Sequence, residues 1–162
     1  MLSFDRRYFL LSAAALTGCG FTPAFAPGGA ATRFQNSVLV DVPDSRAAFL
    51  LVRRFEERLG RANPETYGLS YAITLTEEAI AISGDNVTTR YNILGTVTYA
   101  LRDLATDKVL TSGKVDNFTS YSASDTTVAT QAAERDAEER LMTILTDQII
   151  TRLIADAAAL PA

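Results

Sequence analysis

The clearest structural signal in this chain is Leu69-Ser70-Tyr71-Ala72-Ile73-Thr74-Leu75-Thr76. Large apolar residues alternate with small or polar ones, which is typical of a strand with one buried face. The pattern continues to Ile82 after an irregularity near Glu77-Glu78. Ser83-Gly84-Asp85-Asn86 predicts a hairpin turn, because Gly and Asn tolerate the positive φ of such turns. The alternation then returns in a second strand, at Thr89, Tyr91, Ile93, Val97, Tyr99 and Leu101.

Two further strands are predicted on either side of this hairpin. A turn at 102–108 leads into a strand over Val109 to Tyr121, in which Gly113 indicates a bulge or a close backbone approach. Near the start, residues 37–42 form a short β-branched run that ends at Pro43. An apolar run of this length predicts a buried strand inside a mixed sheet.

Two segments have helical spacing. The first covers 46–60 and follows an N-cap at Asp44 or Ser45; Gly60 is its predicted stop. Its apolar face comprises Ala48, Leu51, Val52, Phe55 and Leu59. The second runs from Ala129 to about Ala158, after an N-cap at 124, 125 or 126. Its apolar face comprises Ala133, Ala137, Leu141, Ile144, Leu145, Ile149 and Leu153.

The order β-α-β-β-β-α predicts an α/β (α+β) sandwich, a mixed sheet of about four strands with both helices on one face. The other face would then be rich in hydroxyl groups and sparsely charged. Such a face is either simply hydrated or covered by a polar partner surface. Its predicted members are Ser70, Thr74, Thr76, Arg90, Asn92, Thr96, Thr98 and Arg102.

The N-terminus has the parts of a secretory leader: Arg6-Arg7, then an apolar run over 8–16 that is too short to span a bilayer. Leu16-Thr17-Gly18-Cys19 follows and resembles the bacterial lipobox, in which the cysteine is acylated and becomes the mature N-terminus. Cys19 is therefore the predicted lipidation site. The Arg pair leaves twin-arginine and ordinary export open.

This assignment divides the chain into three parts. Residues 1–18 are the predicted signal peptide, 19–36 a flexible tether, and 37–162 a single domain. The tether contains two prolines and shows no hydrophobic period. Its phenylalanines at 21, 25 and 34 are expected to dock on the domain, with a partner surface as the alternative.

Composition excludes several classes of function. The chain has no His and one Cys, so no Ser-His-Asp triad, Cys-His dyad or His/Cys zinc site can form. The net charge of −4 argues against nucleic-acid binding. Adjacent carboxylates at 56–57, 77–78 and 138–139 point apart, unlike a glycosidase pair. We therefore predict no catalytic residue, metal or cofactor. Basic residues on or near strand ends could instead meet phosphate groups: Arg90, Arg102, Lys108 and Lys114.

Several segments together resemble a known family. They are Leu16 to Phe21 with the Pro-containing tether, Tyr91 to Leu94, Tyr99 to Asp103, Val109 to Gly113, Ser120 to Ser122, Ala133 to Ala137 and Leu145 to Leu153. The sequence is similar there to the lipopolysaccharide-assembly lipoproteins of the LptE (RlpB) family, in their alphaproteobacterial form. The similarity covers most of the mature chain.

The resemblance implies a non-catalytic outer-membrane lipoprotein that faces the periplasm and is held by an N-terminal lipid anchor. Family members sit in the lumen of the β-barrel LptD, support its assembly and bind lipopolysaccharide through basic residues near strand ends. Arg90 and Lys114 are the candidates carried over here. The alternative is a periplasm-facing binding subunit of a transporter or of another envelope complex. An enzyme that uses only Asp, Glu, Ser, Lys or Arg is a third class.

Overall fold

The computed structural model describes residues 26, 29–82, 88–124, 126–157 and 160. After a 3-10 helix at Ala30–Arg33, the elements follow the predicted β-α-β-β-β-α order. They are β1 (Val38–Val40), α1 (Arg46–Leu59), β2 (Tyr67–Ile82), β3 (Thr88–Asp103), β4 (Val109–Ser122) and α2 (Thr127–Asp156).

The four strands form one mixed sheet in the order β1-β2-β3-β4. β1 runs parallel to β2, and the other neighbours are antiparallel. The prediction of an interior position for β1 is wrong, since β1 is a three-residue edge strand and Leu39 is 42% exposed. A short apolar run is equally compatible with an edge strand when only alternate side chains, here Val38 and the partly buried Val40, face the core.

The predicted alternation of the long strands is confirmed. Ile73 pairs with Val97 and Val97 with Val115, so odd-numbered side chains face the helices across three strands. The irregularity in β2 lies between Ala79 and Ile82, beyond the predicted Glu77-Glu78 position. The predicted turn at 83–86 lies outside the described residues.

Gly113 makes the close approach that the sequence predicted. It lies opposite Tyr99, and a Cβ at Gly113 would lie 2.7 Å from the Tyr99 hydroxyl oxygen. Any larger side chain here would have to displace the phenol ring. The aromatic residue of β3 therefore reaches across β4 only because β4 has a glycine at this position.

Both helices pack on one face of the sheet, α1 against β1 and α2, and α2 against β3 and β4. Ser45 caps α1, with its hydroxyl accepting from the Ala48 amide at 3.2 Å. The N-cap of α2 is Thr126, which makes no side-chain capping bond. The predicted core residue Ile144 is instead 37% exposed, because the fully buried neighbours Leu141 and Leu145 take the direction facing the sheet.

The folded domain extends further toward the N-terminus than the predicted boundary at residue 37. Phe34 is fully buried and meets the Tyr67 ring edge to face at 5.6 Å between centroids. Arg33 Nε donates to the Tyr67 hydroxyl at 2.8 Å. Residues 30–36 therefore belong to the domain rather than to a flexible tether, and the docking expected of Phe34 is confirmed. Cys19, the signal peptide, Phe21 and Phe25 lie outside the described residues.

Candidate functional site

The fold leaves the sheet face opposite the helices uncovered by any described element. Even-numbered residues of β2 and β3 lie on it in register, with Thr74 opposite Thr96 and Ala72 opposite Thr98. Four small residues on this face line a shallow cavity of about 340 Å³: Ser70, Ala72, Thr98 and Ala100. A surface this flat fits a broad partner better than it fits an enclosed small molecule.

The two sides of the molecule differ in how their charges are paired. On the helix side, arginines of α1 bind carboxylates of α2, in the pairs Arg46–Glu138, Arg53–Glu139, Arg54–Asp147 and Arg58–Asp147. The hydrogen bond to Asp147 raises the pKa of Arg54. On the sheet side, the one ion pair among the described residues is Arg102–Asp107 at 3.5 Å. Charged side chains of α1 are therefore paired with those of α2, while the sheet surface offers mainly hydroxyl groups.

β4 adds an apolar spot to this face that the sequence analysis did not include. Phe118 is 58% exposed and lies opposite the half-buried Leu94. Both residues line a cavity of about 430 Å³ that also includes Lys114 and Asp116. The even-number pattern of β4, with Lys114 and Phe118 on one side, is the sequence signal that would have found it.

Lys114 and Arg90 share this face but do not form one site. Lys114 lies in the middle of β4 opposite Thr98, so its predicted position near a strand end is wrong. Arg90 lies near the start of β3 opposite Ser122. Eight residue positions of β4 separate Lys114 from Ser122, which is about 26 Å at the rise of a strand. A single phosphate group cannot contact both side chains.

Lys114 has chemistry of its own at this point. Lys114 and Phe118 line one cavity from positions four residues apart on β4, about 13 Å at the rise of a strand. The cavity therefore offers a cation to an anionic group at one end and an apolar surface to an acyl chain at the other. Arg90 is exposed and does not line this cavity. The two candidates are therefore unequal, and their role in lipid binding stays a prediction.

The described residues contain no group of three Asp, Glu, Cys or His side chains arranged to hold a metal. Glu138 and Glu139 are each engaged by an arginine of α1. Neither described helix is long and apolar enough to cross a membrane.

Solved structures share this fold. A candidate lipoprotein from Caulobacter crescentus CB15 aligns with a TM-score of 0.66 and 22% identity, over 79% of this chain and 96% of that one. Rare lipoprotein B from Shewanella oneidensis aligns at 0.55 and 14%, over 77% and 96%. A minor lipoprotein from Acinetobacter baumannii aligns at 0.54 and 17%, over 79% and 94%.

The sequence comparisons differ in outcome. A search of curated proteins finds no match. A family model described as LptE, lipopolysaccharide-assembly, matches residues 34–153. This range contains all four strands, the whole of α1 and all of α2 except its last three residues. The chain therefore belongs to the LptE family of lipopolysaccharide-assembly proteins.

Proposed function

We propose that this protein is a non-catalytic lipoprotein of the outer membrane, which plugs the lumen of the LptD β-barrel and supports its assembly and lipopolysaccharide transport. The observation that carries the proposal is the sheet face of this LptE-family domain. It is hydroxyl-rich, nearly free of ion pairs and unmatched by a second layer. Barrel lumens are polar, so such a face can exchange hydration for many dispersed hydrogen bonds.

The proposed anchor is Cys19. Acylation there would hold the domain at the membrane through residues 19–29, since the first described element begins at Ala30. A domain held this closely stays within reach of a barrel in the same membrane. Intact mass of the membrane-extracted protein tests this step, because a mature chain without acyl groups on Cys19 would contradict it.

The proposed lipopolysaccharide contact centres on Lys114 with Phe118. The ammonium group suits a phosphate, and the phenylalanine suits an adjoining acyl chain. Lys114→Glu should lower lipopolysaccharide binding by about tenfold through loss of a charge-assisted contact, whereas Lys108→Glu in the neighbouring turn should not. Equal loss in both variants would indicate only a general effect of charge.

The plug is tested by photo-crosslinking in cells from positions 74, 92 and 96 of the sheet face, with positions 57 and 135 on the helices as controls. Strong crosslinks from the sheet positions to LptD are expected. Thr96→Glu should weaken the complex, since it places a carboxylate in the middle of the covered surface. Thr151→Glu, the same change on the helix side, should leave the complex intact.

Crosslinks from the helix positions alone would contradict the orientation. Absence of LptD from every crosslinked product would contradict the plug itself. An inner-membrane transporter recovered in its place would favour the binding-subunit alternative.

A further inference from the structure

The two outer edges of the sheet differ in how their main-chain groups are satisfied. On β2, the Leu69 carbonyl accepts from the Asp41 amide at 2.9 Å, and the Tyr67 amide donates to the Ser37 carbonyl at 3.0 Å. Odd-numbered residues of β2 therefore direct N–H and C=O toward the β1 side. Because regular pairing with β3 continues to Ala79, the same direction holds for residues 71, 73, 75, 77 and 79.

No strand in the described part of the chain covers those five residues. β1 pairs only with residues 67–69 of β2. Within the described part of the chain, no main-chain hydrogen bond is made across this edge beyond Leu69. The uncovered part is therefore about nine residues long, more than a typical strand of five or six residues.

β4, at the opposite edge, is protected by side chains. The main-chain N–H and C=O groups of its even-numbered residues are directed away from β3, toward the edge. An Arg152 Nη atom donates to one of them, the Lys114 carbonyl. Arg140 donates to the Ser120 carbonyl at 3.4 Å, and the Asn117 side chain accepts from the Phe118 amide at 2.8 Å. Covering an edge in this way prevents the addition of foreign strands. At the β2 edge, no described side chain donates to or accepts from the main chain of residues 71–79 in this way.

The structure also has room for a strand at the open edge. After β1, the chain bends away from the sheet through Asp41, Val42 and Asp44 toward α1. This bend leaves a cavity of about 390 Å³ between residues 41–45 and residues 71–73 of β2. The cavity continues the line that β1 occupies beside the first residues of β2.

Charge indicates the kind of strand that fits. Asp41 and Asp44 flank one end of the open edge, and Glu77 and Glu78 lie toward the other. All four are exposed, and none forms an ion pair within the described residues. The Glu77 carboxylate interacts with the Tyr121 hydroxyl of β4, which leaves Asp41, Asp44 and Glu78 for a partner. On the helix side, by contrast, carboxylates are matched by arginines of the same domain. The acidic ends of this edge are therefore available to basic side chains.

We propose that the β2 edge over residues 71–79 accepts an extended segment of a partner protein as an added strand, and that this segment carries Lys or Arg residues. Main-chain hydrogen bonds to the odd-numbered residues would supply the affinity, and the acidic ends would select the sequence. This inference does not depend on the plug proposal, which concerns the sheet face.

Two other occupants are disfavoured by sequence. A second copy of this chain would bring its own acidic residues against the same acidic edge. The N-terminal residues 19–28 contain no Lys or Arg and include prolines at 23 and 27, which lack the amide that strand pairing needs.

The test uses the full lipidated protein in cells, with a photo-crosslinker at Leu75, which is 38% exposed beside the open edge. Crosslinked peptides are identified by mass spectrometry. Ile73→Pro removes one outward amide, and Asp116→Pro is the matched change at the β4 edge. Asp41→Lys combined with Glu78→Lys reverses the charge of the open edge, and Asp116→Lys is its control.

We expect Leu75 to crosslink to one Lys- or Arg-containing segment of another protein. Ile73→Pro and the double charge reversal should each reduce this product by about tenfold, the equivalent of one unmade hydrogen bond or lost ion pair. Both changes at Asp116 should leave it within about twofold. If Ile73→Pro fails to fold, the charge reversal decides alone.

The proposal is overturned by crosslinks to residues 67–82 of a second copy, to residues 19–28, or to a segment without basic residues. It is equally overturned if no product forms, or if the edge variants leave the product unchanged. The plug test uses positions 74, 92 and 96, so either proposal can fail while the other stands.

Discussion

The two long edges of this sheet, β2 beyond Leu69 and β4, differ in how the helices cover them. β4, with 14 residues, is about 46 Å long, and the 30-residue α2 is about 45 Å long, so the helix can supply capping side chains along the whole strand. β2 extends about 53 Å, whereas the 14-residue α1 covers about 21 Å. The difference teaches that edge protection here follows the reach of the neighbouring helix.

Arg152 shows how this protection works at one point. It approaches the phenol of Tyr99, which crosses β4 over Gly113, and it donates to the Lys114 carbonyl. Burial raises the pKa of Tyr99, and Arg152 acts in the opposite direction. One arginine of α2 thus joins the central strand to the protected edge. Among the described residues, no side chain of α1 makes a comparable bond to β2 beyond Leu69.

The largest expected effect comes from placing a charge in the core between the two edge strands. Ile93 lies in β3 between Glu77 of β2 and Thr119 of β4 and is 6% exposed. Ile93→Asp should lower the free energy of unfolding by about 4 kcal/mol or more, since apolar burial is lost and a carboxylate is buried without a partner. Thermal and urea unfolding followed by circular dichroism would measure this. Asn92→Asp, on the outer face of the same strand, should unfold like the parent.

A smaller effect is expected from uncovering the β4 edge. Arg152→Met keeps most of the side-chain stem but removes the donor to the Lys114 carbonyl. We expect a loss of about 1 kcal/mol in the free energy of unfolding. A crosslinker at position 116 should then capture extended segments that it does not capture in the parent. Arg135→Met is the control on the same helix; an equal loss there would show that the effect is one of charge alone.

The smallest effect is confined to alkaline pH and concerns a contact that joins the two edge strands. Burial first, and then the nearby Glu77 carboxylate, raise the pKa of Tyr121 from 10.0 to about 12; Glu134 and Tyr91 contribute less. The phenol therefore ionises more readily in the unfolded chain. Its contribution to stability is complete below pH 10 and is lost as the pH rises to about 12.

Tyr121→Phe should remove this part of the pH dependence. Urea unfolding at pH 8, 9, 10 and 11 measures it as the difference between the parent and the variant. We expect that difference to be constant up to about pH 10 and to shift in favour of the variant above it. A constant difference across the whole range would contradict the assignment.

Much of the fold was predictable because side-chain periodicity is a local property. Leu69 to Leu75 and Tyr91 to Leu101 carry the alternation that separates the two faces, and α1 has both its Ser45 cap and its apolar face in sequence. The position of β1 was not predictable, since Val38–Val40 has the same composition at an edge as in the interior. Ile144 was misassigned because a 30-residue helix buries only the positions that meet the sheet.

The candidate site was predictable in part for the same reason. The hydroxyl-rich face follows from the strand period, and Arg90 and Lys114 both lie on it. Their separation depends on the register of β4 against β3, which the turn at 102–108 and the shift at Leu101–Arg102 determine. The pairing of Phe118 with Leu94 depends on that register as well.

By itself, the sequence determined the order of the elements, the two faces of the sheet and most of the residues that line the core, because each follows from the spacing of apolar residues along one segment. Only the tertiary structure decided which strand lies at each edge, how far each helix reaches along it, and hence that β4 is covered while β2 is open. Those properties depend on contacts between segments far apart in the chain, such as Arg152 with Lys114 and Asp41 with Leu69.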